Sequence, residues 1–430
     1  MIRAAHQRPA RILRGGASWV GALRSPYPAT QTALVVTAAL TPAYVVRWRV
    51  GPLPTTALEA AILVTVLLFA LETLRAGSPA AAWRSPLAPP AALFVVAGAV
   101  AVLAAPSRVA ALGIYRAYVL EPVALAFVAA TVVRDWRRAW LVVGGLWLGA
   151  CVLAVANVEA VLEAARQHQL DIRVPAPVAI YLSPNSVALY LVPLLAVAGA
   201  AVLHAASRPV RVAAAVFGVV ALPAAILTFS RGGWLAIAAV LVTLALSHRR
   251  RWWLLAGLAV LAVGVAAVPY VSHRALLLLH QGAGNTSSDR LRLWALTLHL
   301  LAQRPLLGMG LAGFQPTVLP LWKGDATWIL YPHNLALDLW AETGLLGLLS
   351  FAWALGAAAV LSWLGWRRGG GDWRALHLGV LVALLAVLVH GAVDNPYFKN
   401  DLSLEFWMLA ALTAAGWRWG RPAGGAGEAV

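Results

Sequence analysis

Residues 178–203 read VAIYLSPNSVALYLVPLLAVAGAAVL, with no charged side chain anywhere in the run. A helix needs about 20 apolar residues to cross a hydrocarbon layer about 30 Å thick, so this stretch can span a bilayer. Eleven similar runs lie near 30–46, 55–74, 87–105, 110–132, 139–156, 210–229, 233–247, 252–270, 334–363, 375–393 and 402–417, the one at 233–247 short and the one at 334–363 long. Transmembrane β-strands would be shorter and would alternate in polarity, which these runs do not. The expected fold class is an all-α polytopic membrane protein of about twelve transmembrane helices with one large loop.

Composition agrees. Of 430 residues, 61% are hydrophobic and 11% charged, with a mean hydropathy of +0.79, whereas a soluble domain is about a quarter charged. Too few polar side chains exist to cover a water-facing surface. The net charge of +17 comes from 31 arginines and two lysines against 16 acidic residues. The arginines sit in short loops and form no single stripe, so nucleic-acid binding is not expected. Their distribution instead sets orientation by the positive-inside rule. With the N-terminus inside, 20 of the 33 basic residues fall on the inner side. The expected division is a basic cytoplasmic tail at 1–29, with no signal-peptide pattern, nine helices over 30–270, an outer loop with short helices at 271–333, three helices over 334–417 and a cytoplasmic tail at 418–430. The lone cysteine, Cys151, lies inside an apolar run and permits no intrachain disulfide.

Arginines that face outward oppose this trend and ask for a reason. Arg231 stands in Ser230-Arg231-Gly232-Gly233, where glycines permit a tight turn that would hold a guanidinium at headgroup level. A permanently charged, forked donor suits phosphate oxygens; the alternative is a snorkelling arginine on ordinary lipid. Arg290 follows Ser287-Ser288-Asp289, which offers helix caps, and a helix N-terminus is an anion site. Trp294 is one turn on, on the same face, while Arg292 points elsewhere. The alternative there is an amphipathic helix lying on the membrane. His333, in Tyr331-Pro332-His333-Asn334, is expected in the first turn of the tenth span, since proline is at home there. The positive end of the helix dipole then favours the neutral imidazole that a general base needs. Arg116, Glu121 and Glu342 lie inside expected spans, where ionisable groups pair or act in function; mutual pairing is the expectation. Asp394, Lys399 and Asp401 form a further polar group in the last outer loop. No His-Glu-x-x-His or carboxylate cage is present, so no metal and no cofactor are expected, and there is no P-loop.

Five ordered motifs carry a resemblance: Ser183-Pro184-Asn185; LTFSRGGWL at 227–235; Arg290-x-x-x-Trp294 with Arg304-Pro305-Leu306-Leu307-Gly308-Met309-Gly310; His333-Asn334 with Ala341-Glu342-Thr343-Gly344-Leu345-Leu346-Gly347; and HGAVDNPYFKN at 390–400. Over about 116–407 the chain resembles the O-antigen ligase and polymerase superfamily. The resemblance implies a GT-C-like glycosyltransferase fold in the bacterial inner membrane, with its active site facing the periplasm. It implies metal-independent, inverting transfer of a glycan from undecaprenyl diphosphate to an acceptor hydroxyl. The acceptor would be lipid A-core in a ligase, another lipid-linked glycan in a polymerase, or a protein in an O-oligosaccharyltransferase. The superfamily's functional arginines map onto Arg231 and Arg290 and its functional histidine onto His333. Arg292, Asn334, Trp294 and Arg116 are further candidates for substrate contact. A lipid-linked glycan flippase is the rival, against which stand the lack of an internal repeat and of paired broken spans.

Overall fold

A computed structural model describes residues 25–51, 53–76, 85–170, 176–267, 286–323 and 329–420. Most of the expected N-terminal tail, residues 421–430 of the C-terminal tail, and parts of the 271–333 loop lie outside them. The described residues are nearly all helical. In chain order the helices are α1 (Pro28–Ala39), α2 (Ala57–Ala76), α3 (Ala88–Ala104), α4 (Arg108–Tyr115), α5 (Glu121–Val132), α6 (Trp136–Arg166), α7 (Pro184–His204), α8 (Arg208–Leu227), α9 (Arg231–Ser247), α10 (Arg251–Ala266), α11 (Thr286–Gln303), α12 (Phe314–Val318), α13 (Leu335–Arg368), α14 (Gly371–Gly391) and α15 (Asn400–Trp419). Each of the twelve expected apolar runs contains helix among the described residues. Seven segments among the described residues are long and apolar enough to cross a membrane. The α7 and α14 segments are the most enclosed, and α15 is buried along nearly its whole length. These three form the centre around which the other helices pack, presenting Leu and Val side chains outward, as lipid-facing surfaces must.

Three details differ from the sequence reading. Where the first expected run ends at 46 and the second begins at 55, β1 (Arg47–Val50) pairs antiparallel with β2 (Leu53–Thr56). The fourth span is not one uniform helix: a π-helical turn at Arg116–Leu120 joins α4 to α5. The fifth expected run ends at 156, but its helix α6 continues to Arg166.

The tenth run is long because it holds a break. Gly344 in α13 has φ +70° and ψ −178°, a conformation essentially closed to residues with a Cβ. A helix break strands backbone groups, and inside a membrane these must be satisfied by protein. The loop after α11 does so: Leu345 N–H donates to Leu306 C=O at 3.0 Å, and Met309 N–H to Ala341 C=O at 2.7 Å. Glu342 accepts from the amides of Ala312 and Phe314 at 2.5 and 3.0 Å. It is therefore not part of an ion pair with Arg116, as the sequence suggested. It fastens the loop instead. Gly308, at φ +64°, lies so close that a Cβ would sit 2.3 Å from the Trp340 carbonyl oxygen. The Leu-Leu-Gly and Glu-Thr-Gly motifs are thus two halves of one backbone junction.

Gly344→Ala would place its Cβ 2.4 Å from the Leu306 carbonyl oxygen as well as straining φ, so it should destabilise by more than about 1 kcal/mol. Gly218→Ala, with open space around its Cβ in the middle of α8, should be neutral or stabilise by up to about 1 kcal/mol. Thermal unfolding in detergent micelles compares the two.

Candidate active site around Asp394

The site is assembled by the segment between α14 and α15. This segment is short and polar, and it is held under the start of α13. Asp394 lies in it, 1% exposed. A buried carboxylate must be paired and hydrogen-bonded, and four segments supply the partners. Asn185, in the first turn of α7, donates from Nδ2 to Oδ2 at 2.7 Å. The Asn395 backbone N–H donates to Oδ1 at 2.9 Å. His333 Nδ1 lies 3.3 Å from Oδ1. The Arg290 guanidinium from α11 stands 3.8 Å from Oδ2, an ion pair too long for a direct hydrogen bond. Burial raises the Asp394 carboxyl pKa, but the hydrogen bond and electrostatic pull of His333, with the guanidinium charge of Arg290, outweigh it and hold the group below the usual carboxylate range. It is therefore an acceptor only, so His333 Nδ1 must carry the hydrogen.

His333 is not in the first turn of α13, as expected. Asn334 is the N-cap, its side chain accepting from Leu337 N–H at 3.0 Å. His333 therefore precedes the helix, and its φ of +51° is left-handed. Such a conformation in a residue other than glycine costs about 1–3 kcal/mol and persists only where the surroundings impose it. The imposing contacts are visible. Trp294 Nε1 donates to the Pro332 carbonyl oxygen at 2.8 Å, and Asn334 Nδ2 to that of Ala392 at 3.0 Å. The Tyr331 ring lies 4.5 Å from the imidazole, centroid to centroid. Burial, with Asp394 beside it, pushes the Tyr331 phenol well above its ordinary value, so it stays protonated.

Arg231 is brought to the same segment from α9. The turn before it is made by Phe229, at φ +52°, not by the glycines. Ser230 caps α9 through a bond from Gly233 N–H at 3.2 Å, and Arg231 is its first residue, half-buried. Gly232 and Gly233 are helical, and their role is close approach. A Cβ on Gly232 would lie 2.7 Å from His390 Cδ2 and 3.0 Å from Val393 Cγ2, and one on Gly233 2.8 Å from Ala188 Cβ.

Arg290 and His333 thus converge on one buried segment, with Trp294 and Asn334 holding the backbone beside His333, and Gly232 brings the start of α9, where Arg231 stands, against the same segment. Arg292 does not join them. It is exposed, pairs with Asp289, and lies over the Trp322 ring at 5.7 Å. Arg116 bonds elsewhere, to Glu59 at 2.8 Å, Glu121 at 3.3 Å and the Pro54 carbonyl oxygen at 3.1 Å. The expected Arg116–Glu121 pairing holds, with Glu59 as a partner the sequence did not suggest. Lys399 pairs with Asp401 at 3.1 Å and sits 3.5 Å above the Tyr181 ring. Sequence reasoning placed Asp394 only in a secondary group and gave Asn185 no role beyond its motif. The signal for both was the motif itself, an unexplained polar run at a span end.

Residues 213–352 match the family model described as O-antigen ligase. The chain is therefore similar to the O-antigen ligase superfamily through the segment that carries Arg231, Arg290, His333 and Asn334, and the match supports a membrane glycosyltransferase of ligase or polymerase type. Asp394 and Asn185 lie outside the matched residues. No curated protein matches the chain.

Deleting the Asp394 side chain should destabilise the site. Asp394→Ala leaves Arg290 and Asn185 facing a buried gap, a change that costs about 3–5 kcal/mol. Because folding depresses this carboxyl's pKa, its stabilisation is fully present above the unfolded value of about 4 and is lost as pH falls below it. Unfolding followed from neutral to acid pH should show the wild type losing its margin over Asp394→Asn only below about pH 4.

Proposed function

We propose that the chain is an O-antigen ligase, moving a glycan from undecaprenyl diphosphate to an acceptor hydroxyl, with lipid A-core as the acceptor. On this reading it crosses the inner membrane twelve times, both termini are cytoplasmic, and the Asp394 site opens to the periplasm. The observation that carries the proposal is the His333–Asp394–Arg290 arrangement, a histidine oriented by a buried carboxylate with a guanidinium alongside.

The arrangement supports an inverting displacement. Asp394 holds the Nδ1–H tautomer, so the neutral ring carries its lone pair on Nε2, as in other carboxylate-oriented histidine bases. Nε2 takes the acceptor hydroxyl proton as that oxygen attacks the anomeric carbon. The bond from the anomeric carbon to the diphosphate breaks on the opposite face, and its electron pair leaves with undecaprenyl diphosphate. The imidazolium formed faces the Asp394 carboxylate, which stabilises it. Arg231 and Arg290 offset the charge that develops on the departing diphosphate. Arginine fits better than lysine because its fork can meet two oxygens at once.

Purified protein given undecaprenyl diphosphate-linked glycan and a panel of acceptors should yield glycosylated acceptor and free carrier; no transfer to any acceptor would overturn the proposal. Arg231→Ala and Arg290→Ala should each slow transfer about tenfold to a hundredfold, the equivalent of about 1.5–3 kcal/mol per charge-assisted contact. His333→Ala should bind donor almost normally yet turn over about 10²–10⁴-fold more slowly. Weakened donor binding with unchanged turnover at saturation would instead make His333 a diphosphate ligand.

A further inference from the structure

His390, at the last turn of α14, has no part in the chemistry above, yet its surroundings are unusual. Its side chain is buried, 2% exposed, and its Nε2 has no hydrogen-bond partner among the described residues. A buried ring nitrogen without a partner costs about 1–3 kcal/mol, and native structures rarely leave one without a reason. The direction of that nitrogen supplies the reason. It lies 3.0 Å from where a Cβ on Gly232 would be, so the ring edge is pressed against the first turn of α9. That turn begins with Arg231, and its leading amides are the ones a helix cannot bond internally. Ser230 Oγ, accepting from Gly233, caps one of them. The helix has 17 residues, long enough for its dipole to favour an anion at this end.

Resting on the reading of Arg231 as a diphosphate contact, we propose that His390 Nε2–H is a second, separate donor to the diphosphate of the lipid-linked substrate, completing an oxyanion pocket with Arg231 and the first amides of α9. The ligand is a diphosphate ester because the pocket gathers one permanent cation, a neutral N–H donor and backbone amides. These suit several phosphate oxygens at once. Glycine at 232 is then required by the ligand, since any side chain would displace the His390 ring. The backbone carbonyl of His390 also accepts from Asp394 N–H at 2.9 Å. The diphosphate pocket and the base-orienting carboxylate are thus four residues apart on one turn of chain.

The test is equilibrium binding of undecaprenyl diphosphate to the full-length protein in micelles, with undecaprenyl monophosphate and phosphatidylglycerol as comparison ligands. His390→Leu and His390→Phe, which fill the space without a donor, should each weaken diphosphate binding about tenfold, the effect of one hydrogen bond to a charged group. Phosphatidylglycerol binding should not change. His390→Gln, whose amide can place N–H near the position of Nε2, should recover most of the loss, which a purely packing role would not allow. Wild-type affinity in either folded donor-less variant would overturn the proposal. Arg231→Ala, measured alongside, separates the two claims. If it weakens binding while His390→Leu and His390→Phe do not, His390 alone is excluded. If none of the three weakens it, the diphosphate reading of the whole turn fails.

Discussion

A single buried carboxylate organises the end of the molecule that holds the candidate site. Asp394 cannot be desolvated as an anion unless donors surround it, and those donors come from α7, α11, the residue before α13, and its own loop. Helices distant in sequence are thereby required to end at the same place. The left-handed backbone at His333, costly in isolation, is affordable because it delivers Nδ1 to that carboxylate. The same requirement explains the asparagines. Asn185 and Asn334 each begin or cap a helix while their amides reach across to the 392–394 segment. Loss of the carboxylate would therefore unfasten four segments together.

The second constraint is the hydrocarbon environment. Backbone groups freed by the Gly344 break have no water to turn to, so the loop after α11 is folded onto the break and locked by Glu342. This junction ties the loop that follows α11, which carries Arg290, to α13, which His333 precedes, and so links a membrane-packing requirement to the elements of the site.

How much of this was legible in the sequence follows from what generates each feature. Spans are long runs of one physical type, and every one of the twelve runs holds a helix. Arg231, Arg290 and His333 stood out because charge in an apolar chain is conspicuous. What could not be read were pairings between distant segments. Nothing local says that Asn185 meets Asp394, that Glu342 binds loop amides instead of Arg116, or that Phe229 makes a turn credited to Gly232 and Gly233. Arg292 looked as eligible as Arg290 because the sequence gives spacing along α11 but not which neighbour each face meets. The π-helical turn at Arg116 pairs with Glu59, and the β1–β2 pair ends on hydrogen bonds between Thr56 and the same Glu59, contacts that also leave no local trace.

The central claim is that Asp394 acts through His333. A double-mutant cycle on turnover at saturating donor tests it most directly, using His333→Ala, Asp394→Asn and the pair, each confirmed folded. The account predicts strong non-additivity: once His333 is gone, Asp394→Asn should slow the residual reaction little further, because the group it orients is absent. Full additivity of the two losses would contradict the account and leave Asp394 with a role independent of the histidine.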